Sequence, residues 1–198
     1  MAKIGLYFGS FNPVHIGHMA IAGYMTEFTP LEQVWFVVSP HNPLKKKEML
    51  LDDRQRLYMV QLAIGDNGHL KATDIEFSLP TPSYTINTLA WLEEKHPQHT
   101  FNLVLGEDNL YSFHKWKNAG ELIKKYQLYV YPRPYSRRPE SEELDNILKK
   151  ARIHWAKAPL MEISGTFIRA GIKNGKNMSY YLPLAVWKYI EEMHFYKK

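Results

Sequence analysis

The stretch Lys3-Ile4-Gly5-Leu6-Tyr7-Phe8 runs straight into Gly9-Ser10-Phe11-Asn12-Pro13-Val14-His15-Ile16-Gly17-His18, and its reading decides the fold. The apolar run reads as a strand, the Gly, Asn and Pro after it as a turn, and the residues from Ile16 onward as a helix. The alternation continues along the chain. Strand-like runs lie at Ile4–Phe8, Val34–Val38, Leu70–Ile75, Phe101–Leu105, Gln127–Tyr131 and Ile153–Trp155. Helical patterns lie at Ile16–Phe28, Asp53–Ile64, Thr85–Lys95, Glu121–Lys125, Glu140–Lys150, Thr166–Lys173 and Leu182–Met193. In the last of these, Leu182, Ala185, Val186, Tyr189, Ile190 and Met193 form one apolar stripe, and Pro183 suits the first turn.

Apolar strands alternating with helices predict an α/β fold, a Rossmann-like doubly wound parallel sheet with helices on both faces. Ligands of such sheets bind outside the strand C-termini. The loops Ser39–Leu51, Glu76–Tyr84 and Pro132–Pro139 all follow strands and are expected there. A length of 198 residues predicts a single domain over 1–198, with a C-terminal helical portion from about residue 164. The 45% apolar and 14% aromatic content supplies a core and excludes disorder for most of the chain.

The net charge of +5 suits an anionic partner but is too small to separate nucleic acid from small phosphates. No nucleic-acid motif is present and the basic residues are dispersed, so no nucleic-acid partner is expected. The absence of cysteine excludes a disulfide framework, a thiolate zinc site and a cysteine nucleophile. The longest strongly apolar run, Val34–Val38, is far shorter than the ~20 residues that span a bilayer. Residues 1–8 have no signal-peptide layout. A soluble, cytoplasmic protein with no membrane partner is expected, and a homo-oligomer is left open.

The turn after the first strand carries the chemistry. A phosphate placed there meets free backbone N–H groups and the positive end of a helix dipole. Gly9 lets the backbone turn and approach a ligand. His15 and His18, three apart, share one helix face and can reach one phosphate chain, with Gly17 leaving room between them. A lone histidine at a helix start is ordinarily structural, but two around a glycine directly after a strand and turn favour phosphate handling. No third ligand has the spacing of a zinc site, so no metal site is predicted. At Ser164-Gly165-Thr166-Phe167-Ile168-Arg169, Ser164 reads as an N-cap. The N–H groups of Gly165, Thr166 and Phe167 would then be free for an anion, with the Thr166 hydroxyl and the Arg169 guanidinium beside them. Locally, a plain helix cap explains this segment equally well. Gly171-Ile172-Lys173-Asn174-Gly175-Lys176 superficially resembles a phosphate loop. It has three residues between its glycines instead of four, Asn177 where Ser or Thr is needed, and a helix before it.

The first stretch resembles the GxFxPxHxGH motif of the HxGH nucleotidyltransferase superfamily. Thr81-Pro82-Ser83-Tyr84-Thr85, Gly106-Glu107-Asp108 followed by Trp116, Arg133-Pro134 and Ile163–Arg169 then appear in the order of the bacterial nicotinate-nucleotide adenylyltransferases. That resemblance covers most of the chain. It implies that ATP contacts Gly9, Ser10, Phe11, His15, His18, Gly106, Asp108, Arg133, Ser164, Thr166 and Arg169, with His15, His18 and Arg169 catalytic. It implies that Trp116 stacks on the pyridine of the mononucleotide and that backbone N–H groups at Thr85 take the nicotinate carboxylate. On the residues alone, Trp116 reads as core and Thr81–Thr85 as a proline turn feeding a helix. Lys45-Lys46-Lys47 is an ordinary solvated run that becomes a candidate screen for the mononucleotide phosphate, with Asn42, Lys45 and Lys46 as contacts. Here the chain departs from the family. Where many relatives read PNxxPPHK, it reads Pro40-His41-Asn42-Pro43-Leu44-Lys45.

The implied reaction joins nicotinate mononucleotide to the adenylyl group of ATP and releases pyrophosphate, with Mg²⁺ carried on the ATP phosphates and no dedicated protein site. A nicotinamide mononucleotide enzyme, or one using both mononucleotides, is the alternative. A pantetheine-phosphate enzyme generally lacks the TPSYT element and the tryptophan. A nucleotide-binding domain without catalysis would not need the intact histidine pair.

Overall fold

Hydrophobic runs that alternate with helices can bury both faces only by pairing in parallel between two helical layers. The computed structural model describes residues 1–40, 50–134 and 136–197 and has that form. In chain order the elements are β1 (Ala2–Gly9), α1 (Ile16–Phe28), β2 (Gln33–Val38), α2 (Asp53–Ile64), β3 (Leu70–Thr73) and α3 (Thr85–Lys95). They continue as β4 (His99–Gly106), α4 (Glu107–Tyr111), α5 (Ala119–Lys125), β5 (Leu128–Tyr131), α6 (Glu142–Lys150), β6 (Ile153–Trp155), α7 (Gly165–Lys173) and α8 (Leu184–Glu192). The strands form one sheet of order β3-β2-β1-β4-β5-β6, every pair parallel. This is a doubly wound Rossmann-like sheet.

Period-two alternation sends each strand's side chains to two cores. Tyr7, Val34, Phe36 and Val38 pack with Ile21, Met25, Met59, Ile168 and Ile190 on one face. Ile4, Leu6, Trp35 and Val37 pack with Leu89, Leu92 and Leu122 on the other. The pairing register fixes where the strands end: Gly9 lies opposite Val38 and Tyr7 opposite Val104.

Several elements differ from the sequence reading. β3 stops at Thr73, and Ile75–Ser78 winds into a 3-10 turn that buries Ile75 and Glu76. The short helix α4 follows β4 without a loop. α8 is shorter than the periodicity predicted, and Pro183 is its N-cap rather than part of its first turn. Of the expected stripe, Leu182, Val186 and Ile190 are buried while Ala185 and Met193 are exposed. The seam against α2 is simply narrower than the stripe.

One side chain ties the ligand end together. Arg56 of α2 is 1% exposed. Its Nε donates to the Leu51 carbonyl at 2.9 Å, Nη1 to the Ser10 and Ser39 carbonyls at 2.7 and 2.8 Å, and Nη2 to the Pro40 carbonyl at 3.3 Å. Burial pushes its guanidinium down from its ordinary value, and the nearby Asp53 and Asp52 charges push it back up. The Arg56→Met variant leaves four carbonyls without these donors, and its unfolding free energy in urea is expected to fall by about 3 kcal/mol. A loss below about 1 kcal/mol would show that these bonds contribute little.

Candidate active site

The strand order reverses between β1 and β4, so their C-terminal ends diverge and leave a crevice. A cavity of about 310 Å³ lies there, bordered by Tyr7–Ser10 at the end of β1 and Leu103–Leu105 of β4. Tyr84, Trp116 and Lys117 line it from the loops and Thr85 from the start of α3. Trp116 is partly exposed and stacks on buried Phe113, ring centres 4.8 Å apart and 27° between planes. α3 begins at Thr85, and its N-cap, Tyr84, gives no side-chain hydrogen bond. No acidic residue stands in its first turn. The helix therefore presents uncapped N–H groups and the positive end of its dipole at the cavity wall. The loop before it is held from behind. The carboxylate of Glu76, 2% exposed, accepts from the Ser83 hydroxyl at 3.1 Å and the Thr88 hydroxyl at 2.8 Å.

The β1–α1 turn builds the second half of the site. His15 is the N-cap of α1 rather than a helix residue, so it and His18 are not simply neighbours on one helical face. Their rings stack, centres 3.6 Å apart at 26°. The His15 backbone N–H donates to His18 Nδ1 at 3.2 Å, so a neutral His18 carries its proton on Nε2. Burial first, and the Arg133 charge second, push the His15 imidazole from 6.5 down to about 3. His15 is neutral at physiological pH. The glycines act differently from expectation. The left-handed residue of the turn is Phe11, φ 45°, not Gly9. A Cβ on Gly9 would come within 2.8 Å of the Phe11 ring. A Cβ on Gly17 would come within 3.1 Å of His15 Nδ1. Both glycines make room for a side chain of the site itself.

α7 docks against this turn. Arg169 Nη1 donates to the Asn12 carbonyl at 2.7 Å and Nη2 to the Thr166 hydroxyl at 3.3 Å. A Cβ on Gly165 would come 2.8 Å from that same carbonyl. Ser164 is the N-cap as expected, but its hydroxyl accepts from the Phe167 N–H at 3.2 Å, so that N–H is taken rather than free. On the other side, Arg133 donates to the Tyr131 hydroxyl at 2.8 Å and lies 3.7 Å from Asp108 Oδ1. Gly106 leaves room for both groups, since a Cβ there would come 2.4 Å from Asp108 Oδ1 and 3.1 Å from the Tyr131 hydroxyl.

The expected residues thus fall into two groups joined by Gly9 and Ser10. Thr85 and Trp116 line the cavity, whereas His15, His18, Arg133 and Arg169 do not and lie around the β1–α1 turn. Asn42, Lys45 and Lys46 lie outside the described residues. Sequence reasoning missed Glu76, Lys115, Lys117 and Arg56. Arg56 had a signal, because it interrupts the α2 stripe that continues through Met59 and Val60. Glu76 had none. Among the described residues, no cluster of three or more His, Asp or Glu could hold a metal ion, and no helix is long and apolar enough to cross a membrane.

A family model described as cytidylyltransferase-like matches residues 6–171. A protein of Flavobacterium psychrophilum described as a "probable nicotinate-nucleotide adenylyltransferase" is 56% identical, the match covering 99% of this chain and 100% of that protein. A Flavobacterium johnsoniae protein of the same description is 55% identical, with 99% and 100% covered. Among solved structures, the Plasmodium falciparum nicotinic acid mononucleotide adenylyltransferase complexed with NaAD superposes with a TM-score of 0.79 at 21% identity, over 99% of this chain and 98% of that one.

The depressed His15 value has a consequence for stability. Between about pH 3 and 6.5 the unfolded chain holds a proton on this group that the folded chain does not. Its contribution is therefore complete above pH 6.5 and is lost as pH falls, by about 1.4 kcal/mol per unit. Urea unfolding at pH 7.5 and 5.0 is expected to show a smaller acid loss for His15→Gln than for the wild type. Equal losses would show that His15 is not the group held neutral.

Proposed function

The chain belongs to the nicotinate-nucleotide adenylyltransferase branch of the cytidylyltransferase-like family, and on that premise we propose how its crevice joins nicotinate mononucleotide to the adenylyl group of ATP. The products are nicotinate adenine dinucleotide and pyrophosphate. One observation carries the assignment of the two halves. An uncapped helix start beside a stackable Trp116 opens, through Gly9 and Ser10, onto the paired His15 and His18. The pyridine ring lies against Trp116 with its carboxylate toward the Thr85 N–H groups. The ATP phosphates lie between the β1–α1 turn and the start of α7.

The attacking group is a phosphate monoester whose second pKa is about 6, so it is ionised at neutral pH and needs no general base. One of its oxygens bonds to the α-phosphorus of ATP, the bond to the bridging oxygen breaks, and pyrophosphate leaves with the electron pair. The protein's task is to align two anions and to stabilise charge at the transferring phosphorus. His18, with Nδ1 occupied by the His15 N–H, offers its Nε2–H as a donor. Arg169 and the first N–H groups of α7 face the triphosphate, and Arg133 supplies a second cation. Mg²⁺ enters as part of the nucleotide substrate, held by phosphate and water.

A pyrophosphate-release assay with ATP and each mononucleotide tests this reading. kcat/KM for the nicotinate form is expected to exceed that for the nicotinamide form by about ten-fold or more, because an amide NH₂ facing N–H donors leaves both unpaired. Equal values would favour the dual-substrate enzyme. The His18→Ala variant is expected to stay folded and to lose about 10²–10³ in kcat. A loss of less than about threefold would remove His18 from the chemistry. In Arg169→Lys, loss of the planar fork is expected to raise the ATP KM while the mononucleotide KM stays the same. An unchanged ATP profile would make Arg169 a purely structural tie to Asn12.

A further inference from the structure

Lys117 directly follows Trp116 and borders the same cavity. Its ammonium sits 4.4 Å from the centre of the Tyr84 ring, and Tyr84 is the N-cap of α3. The cation–π contact holds a full positive charge beside the helix start that faces the cavity. Among the described residues, no carboxylate forms an ion pair with it. The nearby cavity carboxylate, Glu76, is engaged by the Ser83 and Thr88 hydroxyls instead. An exposed lysine is usually worth little in recognition, because holding its flexible stem costs entropy. Here the aromatic ring already restrains the stem.

The other groups at this end discriminate only in part between a carboxylate and an amide. Trp116 stacks on the pyridine ring whatever its substituent. Backbone N–H groups reject the amide NH₂, but they donate to the amide carbonyl as well as to a carboxylate oxygen. A full charge separates a substituent of charge −1 from a neutral one far more strongly than a dipole does. We propose that the Lys117 ammonium is a specificity-determining group that sets the preference for nicotinate over nicotinamide mononucleotide. The inference rests on reading the cavity as the mononucleotide site.

Two variants test it. Lys117→Met keeps an apolar stem of similar length without the charge, and Lys117→Arg keeps the charge and can still lie on Tyr84. The measurements are kcat/KM by pyrophosphate release for each mononucleotide, and calorimetric Kd where turnover of the nicotinamide form is slow. Lys117→Met is expected to lose about five- to twenty-fold with the nicotinate form and less than about twofold with the nicotinamide form. Lys117→Arg is expected to keep the wild-type ratio within about twofold. If Lys117→Met weakens both forms equally, or neither, Lys117 does not read the charge and the inference is overturned while the substrate assignment stands. If the wild-type protein releases no pyrophosphate with either mononucleotide, the assignment of the cavity falls and takes this inference with it.

Discussion

A single buried guanidinium organises the ligand end of this protein. Among the described residues, no carboxylate forms an ion pair with Arg56. Its charge is dispersed over carbonyls of Ser10, Ser39, Pro40 and Leu51, which belong to the turn after β1 and to both sides of the segment after β2. Backbone that leaves a sheet loses its ladder partners, and buried carbonyls there must find others. Arg56 supplies them all from one planar fork. The constraint also sets orientation. In a trans peptide, C=O and N–H point in opposite directions, so fixing the Ser10 carbonyl on Arg56 turns the Phe11 N–H away from it. Arg169 fixes the Asn12 carbonyl from α7. Between them, two arginines from distant helices determine the path of the turn that positions His15.

Much of this architecture was legible in the sequence because it rests on local patterns. Strand runs such as Val34–Val38 and the helix Thr85–Lys95 follow from periodicity, and Ser164 follows from capping chemistry. What escaped depends on long-range geometry. Ile75 reads as the end of a strand, but burying Glu76 against Ser83 and Thr88 winds that segment into a turn. Gly9 and Gly17 read as ligand-facing glycines, yet each accommodates an aromatic ring two residues away. Arg56 leaves only a break in the α2 stripe as its trace in the sequence, because the carbonyls that surround it come from other segments of the chain. The histidine pair is legible in the sequence; that one of its members is a neutral N-cap is not, because burial and the Arg133 charge come from the assembled fold.

The distribution of charge across the crevice follows from the same accounting of partners. At the cavity end stand a helix start and Lys117, groups close to solvent where a cation is cheap to maintain. At the turn, burial is too deep for an unpaired cation beside Arg133, and His15 stays neutral as a result. A polyphosphate placed against this turn would oppose both contributions with its negative charge and would raise the proton affinity of His15. A permanently charged residue in its place would have to be solvated or paired, and its partner would then occupy the turn. Imidazole avoids the conflict because it is one of the few side chains that can be neutral when buried alone and still donate a hydrogen bond to an incoming anion.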